Sequence, residues 1–243
     1  MTHQSPAAVS GGTRATRSGA GPCTTAISAS GSRRRARPGP AAMPPRSTVQ
    51  APGCRSRWTA VNESSFTHER AALARIRTAL PETGWWRAWS NFSFATARGD
   101  LYEIDLLIAA PSGLHTVELK AWRGHLTATA SGWIQTNESG TEIAHGFPLR
   151  LAADKSAALA RLFAAVGEDF FIRRLLCLTD DRLHVELPAR DRRFTVSVDE
   201  LVVRLTRPTH DARQRMTPRR IDQLERALES TGITATEELP PPQ

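Results

Sequence analysis

Lysine is nearly missing from this chain. Of its 32 basic residues thirty are arginine, and only Lys120 and Lys155 are lysine. A general bias toward arginine is thus set aside at two positions, and lysine differs in kind: it is a compact amine whose pKa can be tuned, not a fixed planar fork. Cysteine is almost as scarce. Cys23, Cys54 and Cys177 are too few and too scattered for a disulfide framework or a zinc-ligand spacing, and they suit a reducing cytoplasm. Cys177, in "LLCLTD", reads as an inert core residue. No apolar run approaches the ~20 residues that span a bilayer. The N-terminus also lacks the apolar stretch of a secretory signal, so the expected setting is cytoplasmic, with no membrane. Acidic residues are absent from the first 57 positions, which hold nine of the arginines. The remaining 186 residues carry 23 basic against 24 acidic side chains, so the net charge of +8 belongs to that opening segment. Nucleic-acid affinity of the globular part would have to come from a local patch or a metal.

Residues 1–57 are rich in Ala, Gly, Ser, Pro, Thr and Arg and poor in large apolar side chains. Such a composition cannot bury enough surface to offset its ordering entropy and predicts a disordered basic tail. Its cluster Arg33, Arg34, Arg35 and Arg37 suits a solvated arm or nucleic-acid contact. Met43 offers a later start. Order is expected from Trp58 onward. "NESSFTHERAALARIRTAL" predicts a helix capped by Ser64 or Ser65, with Phe66, Leu73, Ile76 and Leu80 as its apolar stripe. Glu69 falls on that stripe, and a carboxylate on an inward face needs a partner or a task.

Three antiparallel strands are expected next, turning at Ala97–Asp100 and at Pro111–Gly113. Trp133–Thr136 predicts a short strand, and Pro148 opens a helix to about Val166. "FFIRRLLCLTD" reads as a strand, and "FTVSVDELVVRL" as a strand passing into a helix capped by Asp199. The last helix has Thr217 at its N-cap, Pro218 at its first position and Gly232 just past its end. The domain division expected is a tail at 1–57, a domain at 58–205, and a C-terminal helix with a frayed end at 206–243.

The stretch "YEIDLLIAAPSGLHTVELK" (102–120) sets charges inside two apolar runs. Period-two alternation puts Ile104, Leu106 and Ile108 on one face and Glu103 and Asp105 on the other. In the second half, Val117 and Leu119 face away from Thr116, Glu118 and Lys120. The short turn pairs residues whose numbers sum to 223 or 224, which brings Asp105 to within ~5–8 Å of Glu118. Two carboxylates so close repel unless one protonates or a cation lies between them. Mg²⁺ suits such a gap, and Lys120 on the same face can reach a metal-bound water. The alternative is a hairpin with one solvated face. Lys155, on the face of Leu151, Leu159 and Leu162, either snorkels past the core edge or points its amine at the phosphate or at the carboxylate cluster.

This order of elements resembles the nuclease-related domain, a branch of the PD-(D/E)xK restriction-endonuclease-like superfamily. It comprises a helix with an inward Glu, "EIDLL", a hairpin into "VELK", and "GFPL" opening a helix that carries Lys. The likeness spans residues 58 to about 205. "WTAVNESSFTHERAALARIRTALPETGWWRAWSNFSF" is also similar to the start of the large serine/threonine kinases of phage-growth-limitation-type bacterial defence systems. The resemblance implies an α+β fold, a mixed sheet flanked by helices. It implies Asp105 and Glu118 as metal ligands, Lys120 as the catalytic lysine, and Glu69 and Lys155 as auxiliary members, with Glu69 a candidate third ligand. Phe147 stands where the family often has Asn. No Gly-rich phosphate loop with its lysine and no H-R-D loop of a kinase follows, so the chain reads as a free-standing domain, a truncated gene or half of a split system with a kinase encoded nearby. The expected function is Mg²⁺- or Mn²⁺-dependent hydrolysis of phosphodiester bonds, in DNA, in phage defence or DNA processing. The alternative is a non-catalytic nucleic-acid-binding or regulatory module.

Overall fold

The structure, a computed structural model, describes residues 57–82 and 85–234. The expectations for the arginine-rich tail, Cys23, Cys54, the Met43 start and the frayed end lie outside the described residues.

A six-stranded mixed sheet forms the centre, in the order β1-β2-β3-β4-β8-β10. Its strands are β1 (Trp58–Ala60), β2 (Arg87–Ala95), β3 (Leu101–Ala110), β4 (Gly113–Lys120), β8 (Ile172–Leu178) and β10 (Thr195–Ser197). The three central members β2, β3 and β4 are the antiparallel set expected from the sequence, while β1, β8 and β10 add in parallel. Helices cover both faces, which gives the α+β architecture that was expected. Leu73, Ile76 and Leu80, from α1 (Thr67–Ala79) and its end, pack with Leu201 and Leu205 of α4 (Val198–Thr206) against Leu106, Ile108, Val117 and Leu119. On the opposite face Leu159 and Phe163 of α2 (Pro148–Ala165) meet Leu224 and Leu228 of α5 (Pro218–Ser230) over Phe92, Ile104 and Leu107. The C-terminal helix, set apart by sequence within 206–243, therefore contributes to the same core as the sheet.

A second, four-stranded sheet has the order β7-β6-β5-β9. Its strands are β5 (His125–Thr129), β6 (Gly132–Thr136), β7 (Glu142–Gly146) and β9 (His184–Glu186). Its Leu126 and Trp133 pack on Leu176 and Leu178 at the end of β8. A one-turn helix, α3 (Ala189–Arg192), leads into β10.

Two caps differ from expectation. The N-cap of α1 is Phe66, which has no side-chain cap and lies 56% exposed rather than on the buried stripe. Ser64 is diverted: its Oγ accepts from the Phe66 N–H and donates to Glu69 Oε2 at 2.5 Å. The N-cap of α4 is Ser197, not Asp199, and it forms a reciprocal box with Glu200. By contrast Thr217 accepts from the Arg220 N–H, Pro218 opens α5, and Gly232 follows its end at φ 77°.

Alternation along β3 also breaks. Leu106 and Ile108 face α1, but Ile104 lies in the opposite layer with Leu107 and Ala109. The paired strand makes the same change: Ser90 stands opposite Leu106, Phe92 opposite Ile104, and Asn91 and Asp105 lie between these pairs. Asn91 has φ 54°, left-handed backbone that Asn tolerates better than most residues. That one residue re-phases the strand, so Ile104 does not share the face of Leu106. Glu103 is exposed, apart from buried Asp105.

Candidate metal and phosphodiester site

The candidate site lies at the C-terminal end of β4, where β4 and β8 run parallel and end side by side at Lys120 and Leu178. Crevices at such strand ends are common ligand positions in sheets with parallel strands. The β3–β4 ladder has a sum of 223, one of the two expected, but runs only from Ala110–Gly113 to Leu106–Val117. Beyond it the Asp105 carboxylate takes over, with Oδ2 accepting the Leu119 N–H at 2.7 Å.

Glu118, Lys120 and Lys155 form one connected cluster. Lys120 Nζ donates to Glu118 Oε1 at 2.9 Å, and Lys155 Nζ donates to Oε2 at 2.6 Å. Both lysines of the chain therefore converge on a single carboxylate. Lys155 does not snorkel outward; its side chain is 12% exposed. One residue on, Ser156 Oγ lies 2.6 Å from Thr116 Oγ1 and donates to the Ala152 carbonyl at 2.8 Å. That contact fixes α2 against β4 beneath the site. Asp105, Thr116, Glu118, Ala152 and Lys155 line a small recess.

Electrostatics divide the two carboxyls. Burial, then the charge of Glu118, pushes the Asp105 carboxyl up to about 7, against the opposing pull of the Leu119 N–H and the two lysines. Burial alone would raise Glu118 as well, but the charges and hydrogen bonds of Lys120 and Lys155 outweigh it and hold Glu118 below its ordinary range. Burial opposes the charge of Lys120, yet Glu118, Asp105 and Glu69 together keep its ammonium above the usual value. Glu69 thus comes close enough to bias Lys120, from the first turn of α1. Its carboxylate is held by Ser64, and it does not form a three-ligand group with Asp105 and Glu118.

A testable consequence follows from Asp105. Its folded value lies above the ordinary 3.8, so the folded state holds a proton that the unfolded state has released between pH 3.8 and about 7. In chelator, stability should fall as pH rises through that window. Asp105→Asn keeps an oxygen for the Leu119 N–H and removes the charge. It should exceed the wild type at pH 8 by on the order of 2 kcal/mol in urea unfolding and show a flatter profile. A variant no more stable than the wild type at pH 8 would contradict the strained-carboxyl assignment.

Sequence reasoning missed the side of the site built by the second sheet. Trp122 stacks on His145, with centroids 3.9 Å apart and planes 17° from parallel. His145 Nε2 lies 2.8 Å from Gln135 Oε1, and Gln135 in turn donates to the Arg123 carbonyl at 2.7 Å. Burial, then the charge of Lys120, lowers the His145 pKa. The strand signals at 125–129 and 142–146 are five residues each and weakly patterned, so nothing in sequence joined them to Lys120. Cys177 is buried with its thiol pushed up to about 12, as an inert core residue should be.

Residues 64–179 match the nuclease-related domain (NERD) family. The chain carries a nuclease-related domain. Asp105, Glu118, Lys120, Lys155 and Glu69 all fall within the matched residues of this NERD domain. The chain is also similar to a "Probable kinase PglW" of Streptomyces coelicolor, with 43% identity over 178 residues. That match covers 73% of this chain and 11% of the relative, so the chain spans about a tenth of that protein's length. No solved structure matches. Among the described residues, no helix is long and apolar enough to cross a membrane.

Proposed function

We propose that this NERD domain hydrolyses phosphodiester bonds in nucleic acid, with DNA as substrate, and that it works in phage defence beside a kinase. The observation that carries the proposal is the convergence of Asp105, Glu118 and both lysines of the chain at the end of β4. Asp105 and Glu118 would hold the divalent ion. Glu118 gives one lone-pair direction per oxygen to a lysine and keeps the others. Asp105, its pKa raised to about 7 by burial and by the charge of Glu118, has the carboxyl that a bound divalent cation would ionise. A bound Mg²⁺ or Mn²⁺ would polarise the scissile phosphodiester and lower the pKa of an attacking water. Lys120, with 30% of its side chain exposed, reaches the open side and would orient that water and the phosphate oxygen through its ammonium. Lys155, the more buried amine, holds Glu118 in place. The Trp122–His145 stack offers a flat face for an unpaired base.

The expected result is nicking of supercoiled plasmid by the full chain in Mg²⁺ or Mn²⁺, and none in chelator. Cleavage that persists in chelator would remove the metal from the proposal.

One observation favours a second reading, a non-cleaving module that regulates a kinase. Both oxygens of Glu118 already accept from ammonium groups, so the cluster is also self-neutralising. DNA binding that is unaffected by chelator and never followed by a nick would support that reading.

A further inference from the structure

The second sheet carries a cluster of ligand-type side chains that shares no residue with the one at Lys120. In the parallel β5–β9 ladder His125 stands opposite His184, and Thr127 opposite Glu186. Glu186 follows His184 by two positions, so both project from the same face of β9. The two imidazole centroids are 4.9 Å apart. Glu186 reaches both rings: Oε2 lies 3.4 Å from His125 Nε2, and Oε1 lies 3.3 Å from His184 Nε2. Among the described residues, these three form the one group of His, Cys, Asp or Glu whose ligand atoms all lie within 4.8 Å of one another.

The spacing matches a metal's coordination shell. An ion holding nitrogen and oxygen ligands tetrahedrally at about 2.0–2.1 Å has ligand–ligand edges of about 3.3–3.4 Å. The two carboxylate–imidazole separations have that length, one to each oxygen of Glu186, and the His184 contact is at most a long hydrogen bond. A second observation points the same way. His125 Nε2 is shielded from solvent and makes no hydrogen bond. A ring nitrogen that has lost water and has only the Glu186 carboxylate at 3.4 Å, with no hydrogen bond, has room for the cation that would join the two.

We propose that His125, His184 and Glu186 bind one divalent transition-metal ion of the zinc class, with a fourth position open to water. Two imidazoles and one carboxylate favour such a borderline ion over Mg²⁺, which prefers an all-oxygen shell. The ion ties β9, a three-residue strand at the edge of its sheet, to β5. The side chains of His184 and Glu186 are 70% and 61% exposed, so the site loads from solvent with the fold intact. It is independent of the proposed cleavage chemistry.

The test is calorimetric titration of the chelator-stripped full chain with Zn²⁺, in excess Mg²⁺ at neutral pH. The wild type and Asp105→Asn should bind an equivalent that His184→Ala and Glu186→Gln lose, or bind at least about tenfold more weakly, since even outer-shell partners of a metal are worth 10–100-fold. Zn²⁺ should raise the Tm of the wild type and leave that of His184→Ala unchanged. In chelator the two should unfold together, because His184 is exposed. Equal stoichiometry and affinity in the wild type, His184→Ala and Glu186→Gln would overturn the site. So would an equivalent lost in Asp105→Asn and kept in His184→Ala, which would assign the ion to the other cluster.

Discussion

Lys120→Ala should leave the protein folded and reduce metal-dependent plasmid nicking by about 10³-fold, within the range that positioned proton-transfer and charge-stabilising groups supply. The folded state survives because Lys120 is the outer of the two amines, 30% exposed, and Glu118 keeps its 2.6 Å bond from Lys155. The rate does not survive, because Lys120 is the amine that faces the open side of the cluster. Lys120→Arg should restore the ion pair with Glu118 but not the rate. A guanidinium is a planar fork and does not replace a compact ammonium in a site of this size. Initial nicking rates, with circular dichroism and urea unfolding as controls on folding, separate these outcomes. Wild-type nicking by Lys120→Ala would sink the catalytic role and leave the non-cleaving reading standing.

The second large effect concerns stability. Glu118→Ala should destabilise the domain by about 3 kcal/mol, because it strands the ammonium of Lys155, 12% exposed, in a recess with its bonded partner gone. The loss sits at the lower end for a broken buried pair because Asp105 responds. Without the charge of Glu118, one cause of its raised pKa disappears, and its carboxylate becomes a substitute partner for Lys155. Lys155→Met in the same background removes the stranded charge, and the double variant should recover more than half of the loss. Urea unfolding of the four proteins closes the cycle. Glu118→Ala within 0.5 kcal/mol of the wild type would mean that Lys155 finds water instead, as ordinary surface substitutions do.

How much of this was legible in advance varies by element. The β3–β4 hairpin was legible in its register, because a two-residue turn fixes the sum of paired positions. The face of Glu118 and Lys120 was legible too, since β4 keeps its alternation: Leu114 lies in one layer, and Val117 and Leu119 in the other. The face of Ile104 was not. It depends on the positive φ of Asn91 in the neighbouring strand, and an Asn inside an apolar run carries no mark of its backbone conformation. Ser64 looked like a helix cap by type and position, but the helix begins after Phe66, and the Ser64 hydroxyl accepts the Phe66 N–H and donates to Glu69.

Sequence alone determined the inventory. Two lysines among thirty arginines, and carboxylates alternating with apolar residues, marked Asp105, Glu118, Lys120 and Lys155 before any contact was known. Composition, too, separated a charged, acid-free opening from a near-neutral domain. Tertiary structure decided what those groups do to one another. Lys155 reaches Glu118 across 37 positions because core packing of Leu159 and Phe163, with the Thr116–Ser156 contact, seats α2 on the sheet. His145 comes to stack on Trp122, two positions from Lys120, only once short strands close into a second sheet. Local pattern records which side chains a backbone can present. The separations that set a pKa or close a metal's coordination shell arise from packing between distant segments, and no single window of sequence contains them.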